Sequence, residues 1–370
     1  MVSVMVKVAP AYEVLIGKDI LKSAGTLIKN VRPIGKCAVI TDTNVEKLYL
    51  ERVLSSLKEA GFEPHAYAFS AGEEHKTMET LTDILDFMSE IPLTRSDFVV
   101  ALGGGVTGDM AGFAAGVYMR GIPFIQIPTT FLAAVDSSVG GKTAVDLKNG
   151  KNLAGLFHQP SLVITDIDTF KTLTPENYAC GCAESIKMGV ISDPELFSIF
   201  ENGDPSTYEI EIVRRAVQAK ADIVRRDEKE TGDRKLLNLG HTYGHSVEKL
   251  SRFTLPHGHA VAVGLAMAAR AAEKMGDMDA NTKERILKTL EKNNLPVACE
   301  FDAKEIYQSS LNDKKMAGSS LSIIVPNEIG RCEIRKIPAN EFEKYIELGM
   351  IKLIPERPKA PLCKGSCHRR

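Results

Sequence analysis

The chain has 370 residues, 44% hydrophobic and 25% charged, and a formal net charge of -2. That length asks for two domains rather than one core, and the near-neutral balance excludes a general attraction to nucleic acid or an anionic membrane. The opening stretch is interrupted by Lys7, Pro10 and Glu13 and no apolar run nears the roughly 18 residues of a membrane span, so no secretory or spanning segment is expected. Seven scattered cysteines suit reduced thiols in a cytoplasmic protein.

Short β-rich runs alternate with helical stretches through the first half. Residues 37–42 read as a buried strand, and 44–61 as an amphipathic helix closed by Gly61. A strand over 64–72, a helix over 77–90, and strands over 97–105, 123–130 and 160–166 follow. This alternation predicts an α/β fold, a parallel sheet with helices on both faces. From about Pro175 helical periodicity takes over, at 175–191, 208–230, 241–250, 259–276 and 281–293. One late β pair is predicted over 320–338, turning at Asn327–Gly330. The expected domains are therefore 1–174 and 175–354, with the proline-rich, basic residues 355–370 as a disordered tail. Cys363, Cys367 and His368 could be taken for a metal cluster, but a loose tail explains them more simply.

Three groups of residues point to chemistry. Gly103-x-Gly105-x-x-Gly108 follows a strand and opens a helix, where glycines let backbone N–H groups approach a phosphate. The acidic residue usual about 20 positions later is missing, so the motif alone is equally a tight strand-to-helix turn. Asp42 ends the first strand, placed for a ribose or adenine contact, and GEEHKT (72–77) adds an acid and a lysine at a later strand end. Residues 128–155 are dense in Gly, Ser and Thr yet carry Lys142, Lys148, Lys151 and Asn152. A long, polar, cationic connection predicts an anion site for phosphate or carboxylate; a solvated surface loop is the alternative.

Four of the eight histidines, His241, His245, His257 and His259, fall within residues 238–264. His241 and His245 are i and i+4 and share a helical face; the glutamate of a metalloprotease pair is replaced by Thr242 and Tyr243. A catalytic metal needs about three protein ligands and an open position, so two histidines and a carboxylate would suffice. Glu184, with Lys187 at i+3 in the apolar stretch CGCAESIKMG, is a candidate carboxylate, with a plain ion pair as the alternative.

In order between about residues 37 and 316, the strings GGGVTGD, PTT, DSSVGGKTAVD, GKNLAG, AESIK, NLGHTYGHS, LPHG and NDKKM resemble 3-dehydroquinate synthase, a sugar phosphate cyclase of the shikimate pathway. The resemblance implies a Rossmann-like, NAD-binding parallel-sheet domain followed by a mainly helical metal- and substrate-binding domain, enclosing one active site. It implies conversion of 3-deoxy-D-arabino-heptulosonate 7-phosphate into 3-dehydroquinate and phosphate, with NAD regenerated in each turnover. A divalent metal, zinc or cobalt, would sit on Glu184, His241 and His257. His245 would transfer a proton or hydrogen-bond in the site, and His259 would be peripheral. Lys142, Lys151, Asn152, Lys187, Lys220, Arg234 and Asn238 would bind the phosphate, hydroxyls and carboxylate of the substrate, and Arg120 would reach the phosphate site across a homodimer. NAD would be served by Asp42, Asn44, Glu73, Lys76, Gly104, Gly105, Asp109, Thr129, Thr130, Asp136 and Thr172, with Lys142 and Lys151. One departure is visible: where the family tends to have an aromatic, three residues before Thr172, this chain has Thr169, with Phe170 one place later.

A pocket gathering Lys142, Lys151, Lys187, Lys220 and Arg234 is expected to be strongly repulsive unless it holds a polyanion such as a phosphate plus a carboxylate. The rivals are an iron-dependent alcohol or glycerol dehydrogenase, another sugar phosphate cyclase, and a non-catalytic nucleotide-binding protein. The cationic stretch 142–152 argues against a neutral alcohol, and Lys220 with Arg234 favours a carboxylate-bearing substrate. The set Glu184, His241 and His257 argues against a protein without catalysis.

Overall fold

The computed structural model describes residues 1–311 and 320–351, so NDKKM (312–316) and the expected tail (355–370) lie outside the described residues. The chain begins with β1 (Val2–Val6) and β2 (Tyr12–Gly17), then α1 (Ala24–Lys29) and β3 (Lys36–Asp42). A short α2 (Thr43–Val45) passes through a π-turn into α3 (Glu51–Glu59), followed by β4 (Glu63–Phe69), α4 (Met78–Glu90), β5 (Phe98–Gly103), α5 (Gly105–Val117) and β6 (Phe124–Pro128). The strands β7 (Lys142–Leu147), β8 (Gly150–Phe157) and β9 (Leu162–Asp166) complete this part. Helices dominate thereafter: α6 (Pro175–Ser192), α7 (Pro194–Asn202), α8 (Glu209–Arg226), α9 (His241–Leu250), α10 (His257–Met275), α11 (Ala280–Lys292) and α12 (Ala303–Ser310). The strands β10 (Ser320–Glu328) and β11 (Arg331–Pro338) pair before α13 (Phe342–Gly349).

Seven strands form one sheet in the order β1-β2-β9-β6-β5-β3-β4. The pairings are parallel except for β1 on β2. Strands buried on both faces read as continuous apolar runs, which is why β5, β6 and β9 are legible as strands. Their side chains alternate between two cores. Ile40, Val99 and Phe124 pack under α4 and α5, while Val39, Val100 and Ile125 pack under α1 and α3. A third and larger apolar cluster joins β1, β2 and Phe131 to α6, α8, α10 and α13, so it crosses residue 174.

Two expectations need correction. The sheet gains β1 and β2, where no strands are predicted, and β1 makes one edge antiparallel. The polar connection 128–155 is not an irregular loop: Ala133–Ser137 makes a π-turn, and β7 and β8 form a two-stranded antiparallel ribbon with Leu147 opposite Gly150. Lys148 and Asn149 form the two-residue turn at its tip.

Close helix packing brings the histidine segments together. A Cβ at Gly264 of α10 would lie 1.9 Å from the Gly240 carbonyl oxygen beside α9, and one at Gly258 would lie 2.4 Å from Cys180 Cα of α6. Glycine at these two positions therefore allows three helix backbones to approach within contact of one another. Gly264→Ala should lower the unfolding free energy by about 1–3 kcal/mol, as overpacking does. Gly276→Ala is the control: its φ of 81° is left-handed but nothing lies within 4 Å of the added Cβ, so it should cost only about 1 kcal/mol. Urea unfolding of both variants checks the order; an equal loss would deny the packing role.

Candidate metal and active site

The helix α6 is buried along nearly its whole length, and Glu184 and Lys187 are 0% and 1% exposed. At i and i+3 they share a helical face, and Lys187 Nζ makes an ion pair with Glu184 Oε2. Glu184 Oε1 has no hydrogen-bond partner among the described residues. Facing that oxygen at 3.5 Å are two imidazole nitrogens, Nε2 of His241 from the start of α9 and Nε2 of His257 from the start of α10. One ligand atom from each of the three residues lies within 4.8 Å of the others. A buried carboxylate oxygen without a donor, faced by two Nε2 atoms, fits a divalent cation well.

Electrostatics reinforce the fit. Burial would raise the Glu184 carboxyl, but the Lys187 ammonium and His257 outweigh it and hold it at about 2. Burial, with Lys187 nearby, pushes His241 well below the usual histidine value, leaving it neutral and able to ligate. Burial would also lower His257, yet the Glu184 and Glu248 carboxylates facing its two nitrogens raise it to about 10. His245 stacks edge-on to His241, with ring centroids 5.3 Å apart, and lies 6.1 Å from His257. His259 turns away, its Nδ1 3.7 Å from Cys180 Sγ.

The lysines do not form a bare cationic pocket, which corrects the expectation of strong repulsion. Lys142 pairs with Glu230, which also accepts from Asn238 Nδ2 at 2.7 Å. Lys151 pairs with Glu248 at 2.8 Å and Glu73 at 3.3 Å, and Lys220 with Asp136 at 2.8 Å. Burial lowers Lys220, and Asp136 offsets this only in part. Arg234 is 1% exposed and donates Nη2 to the Gly140 carbonyl at 3.0 Å and Nη1 to the Glu228 carbonyl; its Nε has no acceptor among the described residues.

The cofactor candidates gather at the C-terminal edge of the parallel strands, where α/β sheets bind ligands. Asp42 ends β3, Glu73 and Lys76 follow β4, Gly104 and Gly105 follow β5, Thr129 and Thr130 follow β6, and Thr172 follows β9. Several are already engaged. Asp42 accepts the N–H groups of Asn44 and Val45 at 3.0 and 3.1 Å and the Thr107 hydroxyl at 3.1 Å. Lys76, nearly buried, donates to Asp109 and to Asn152 Oδ1, each at 2.6 Å, tying α5 to the ribbon. The Thr129 hydroxyl is buried without a partner among the described residues, whereas the Thr130 hydroxyl accepts the Ala133 N–H. The Thr172 hydroxyl meets Tyr49 at 2.6 Å, and Thr169 donates to the Asp166 carbonyl while Phe170 packs on Phe131.

Arg120 is exposed in the turn after α5, at the opposite end of that helix from Gly105. At 1.5 Å per residue that is roughly 20 Å from the glycine turn. Glu230 and Glu248 contact the candidate residues but were not singled out from the sequence. Glu248 had a readable signal, since His241, His245 and Glu248 are spaced i, i+4, i+7 along one face of α9.

Residues 66–180 match the family described as 3-dehydroquinate synthase N-terminal, and residues 181–316 its C-terminal counterpart. A 3-dehydroquinate synthase of Enterococcus faecalis is 40% identical over 342 residues, 91% of this chain and 96% of its own. The crystal structure of 2-deoxy-scyllo-inosose synthase, complexed with carbaglucose-6-phosphate, NAD+ and Co2+, matches with a TM-score of 0.84 at 26% identity, over 94% of this chain and 100% of its own. The 2-epi-5-epi-valiolone synthase of Streptomyces hygroscopicus, with NAD+ and Zn2+ bound, matches with a TM-score of 0.83 at 27% identity, over 94% and 98% of the two chains.

The geometry predicts distinct fates for the four central residues. Glu184→Ala, His241→Ala and His257→Ala should each strip a bound divalent cation, since a three-ligand site rarely survives on two. His245→Ala should keep close to wild-type metal content while slowing turnover. Elemental analysis of the four variants decides it, and metal loss in His245→Ala would contradict the ligand set.

Proposed function

The chain belongs to the 3-dehydroquinate synthase family, and from that premise we propose how its residues divide the conversion of 3-deoxy-D-arabino-heptulosonate 7-phosphate into 3-dehydroquinate and phosphate. The observation that carries the reading is the partnerless Glu184 Oε1 faced by His241 and His257. When bound, a zinc or cobalt ion supplies Lewis acidity at the hydroxyl to be oxidised, and NAD supplies a hydride acceptor that returns the hydride within the same turnover. Glu184, His241 and His257 hold the ion. His245 holds or moves a proton at the substrate hydroxyl nearest it. Asp42, Glu73, Lys76, Gly104, Gly105, Asp109, Thr129, Thr130 and Thr172 hold the dinucleotide along the sheet edge, with Asn44 and Asp136.

Substrate anions enter a site whose lysines already have carboxylate partners. Lys142, Lys151, Lys187, Lys220, Asn152, Asn238 and Arg234 therefore bind the phosphate, hydroxyls and carboxylate by exchanging partners rather than by neutralising raw charge. Lys151 is 2.8 Å from Glu248 and 3.3 Å from Glu73, so a phosphate there competes with two carboxylates for one ammonium. Arg234, whose guanidinium donates only to backbone carbonyls among the described residues, keeps its Nε for a substrate carboxylate.

Three coarser readings go with this. The chain divides near 174: the sheet ends at Asp166 and α6 opens at Pro175, although the largest apolar cluster spans both parts. The enzyme works in the cytoplasm, a reading supported by free Cys37, Cys180, Cys182, Cys299 and Cys332. No helix of the described residues is long and apolar enough to cross a membrane. It is a homodimer in which Arg120 completes the partner's phosphate site; its exposure beside exposed Val117 and Met119 supports this.

If NAD is restored in each cycle, the enzyme with its sugar-phosphate substrate should release phosphate without accumulating NADH. Growth of NADH absorbance in step with product would instead indicate an alcohol or glycerol dehydrogenase. The dimer reading has its own test. Arg120→Ala and Lys151→Ala should each be nearly inactive, yet refolding them together should restore about a quarter of wild-type activity: half the dimers are mixed, each with one intact site of two. No recovery would place Arg120 outside the partner's site.

A further inference from the structure

Glu248 has no part in the ligand set or in the roles given above to substrate- and cofactor-binding residues. Its carboxylate is buried, and a buried carboxylate is costly unless each oxygen finds a partner. The two oxygens are divided between two helical and ribbon partners. Oε2 lies 3.3 Å from His257 Nδ1, and Oε1 accepts from Lys151 Nζ at 2.8 Å. The other nitrogen of that imidazole, Nε2, faces Glu184. His241 has the same arrangement with a different acceptor: its Nδ1 lies 3.2 Å from the Leu239 carbonyl while Nε2 faces Glu184. A histidine that ligates a metal through one nitrogen is set in tautomer and ring orientation by the acceptor on the other. For His241 that acceptor is backbone two residues away; for His257 it is a side chain on another helix.

We propose that Glu248 is a positioning residue, which fixes His257 with Nδ1 protonated and Nε2 turned toward the cation, and which links this ligand to Lys151 on the ribbon. The inference rests on reading Glu184, His241 and His257 as the metal ligands. The competing account makes Glu248 only the counter-ion of Lys151. Substituting each partner separates the two, because Lys151→Met removes the ammonium and leaves the carboxylate facing His257.

The test measures Co2+ affinity by chelator competition, with the visible absorption of the bound ion, for wild type, Glu248→Gln, Lys151→Met and Glu184→Ala. Glu248→Gln should weaken Co2+ binding about 10- to 100-fold and shift the absorption bands, the usual effect of losing an acceptor behind a ligating histidine. Lys151→Met should bind with about wild-type affinity. Equal affinity and unchanged bands in Glu248→Gln would overturn the proposal, and so would equal losses in Glu248→Gln and Lys151→Met. Wild-type affinity in Glu184→Ala would instead overturn the ligand reading beneath it. Nitrogen-15 histidine spectra of the zinc-loaded wild-type protein need no variant: a protonated Nδ1 on His257 is expected, and a metallated Nδ1 would overturn the proposal.

Discussion

Glu184 is a carboxylate with no exposed surface, and the rest of the site is arranged around that fact. An ion taken out of water is tolerated only with close opposite charge and filled hydrogen-bonding positions. Lys187, one turn along the same helix, answers one oxygen; two imidazoles from two other helices face the second. Those imidazoles arrive because backbone meets backbone, α10 against α6 at Gly258 and against the start of α9 at Gly264. Residues far apart in the chain thus acquire one function through contacts that only glycine permits. Since breaking a buried pair leaves an uncompensated charge, the arrangement is also a structural commitment.

The same logic extends outward. Lys76 answers Asp109, Lys220 answers Asp136, Lys151 answers Glu73 and Glu248, and Lys142 answers Glu230. A site dense in both charges is arranged for exchange: on the proposed reading, an arriving phosphate or carboxylate finds ammonium groups already held in place by carboxylates. Such preorganisation lowers the ordering cost of binding and makes the fit depend on where the substrate's negative charges fall. Lys151 occupies a notable position, since its partners come from the sheet-side loop at Glu73 and from α9 at Glu248. Its ammonium also lies 4.6 Å from the Phe253 ring centroid.

Much of this was legible before any coordinates. The doubly covered strands announce themselves as apolar runs, and α6, α9, α10 and α11 fall within two residues of their periodicity. The strings GHTYGH, LPHGH and AESIK hold the proposed metal ligands: clustering of scarce histidines gathers the candidates, and the family resemblance picks Glu184, His241 and His257 among them. What escaped did so for physical reasons. The strands β1 and β2 are short, and Val2, Val4 and Val6 alternate over too few residues to stand out. The ribbon β7–β8 carries Lys142, Asp146, Lys151 and Asn152 and turns at Lys148–Asn149, so a stretch this polar reads as loop. The carboxylate partners of the lysines were invisible, since which acid meets which base is set by tertiary packing and not by spacing. Glu248 is the exception, aligned with His241 and His245 on one helix face and still passed over.

On the proposed reading, Glu184 Oε1 and the Nε2 atoms of His241 and His257 share one divalent cation. Anomalous diffraction at the zinc edge, from crystals of the zinc-loaded protein, tests it most directly. One strong peak is expected within bonding distance of those three atoms, about 2.0–2.2 Å from each. A peak elsewhere, or one bonded through Nδ1 of either histidine, would contradict it.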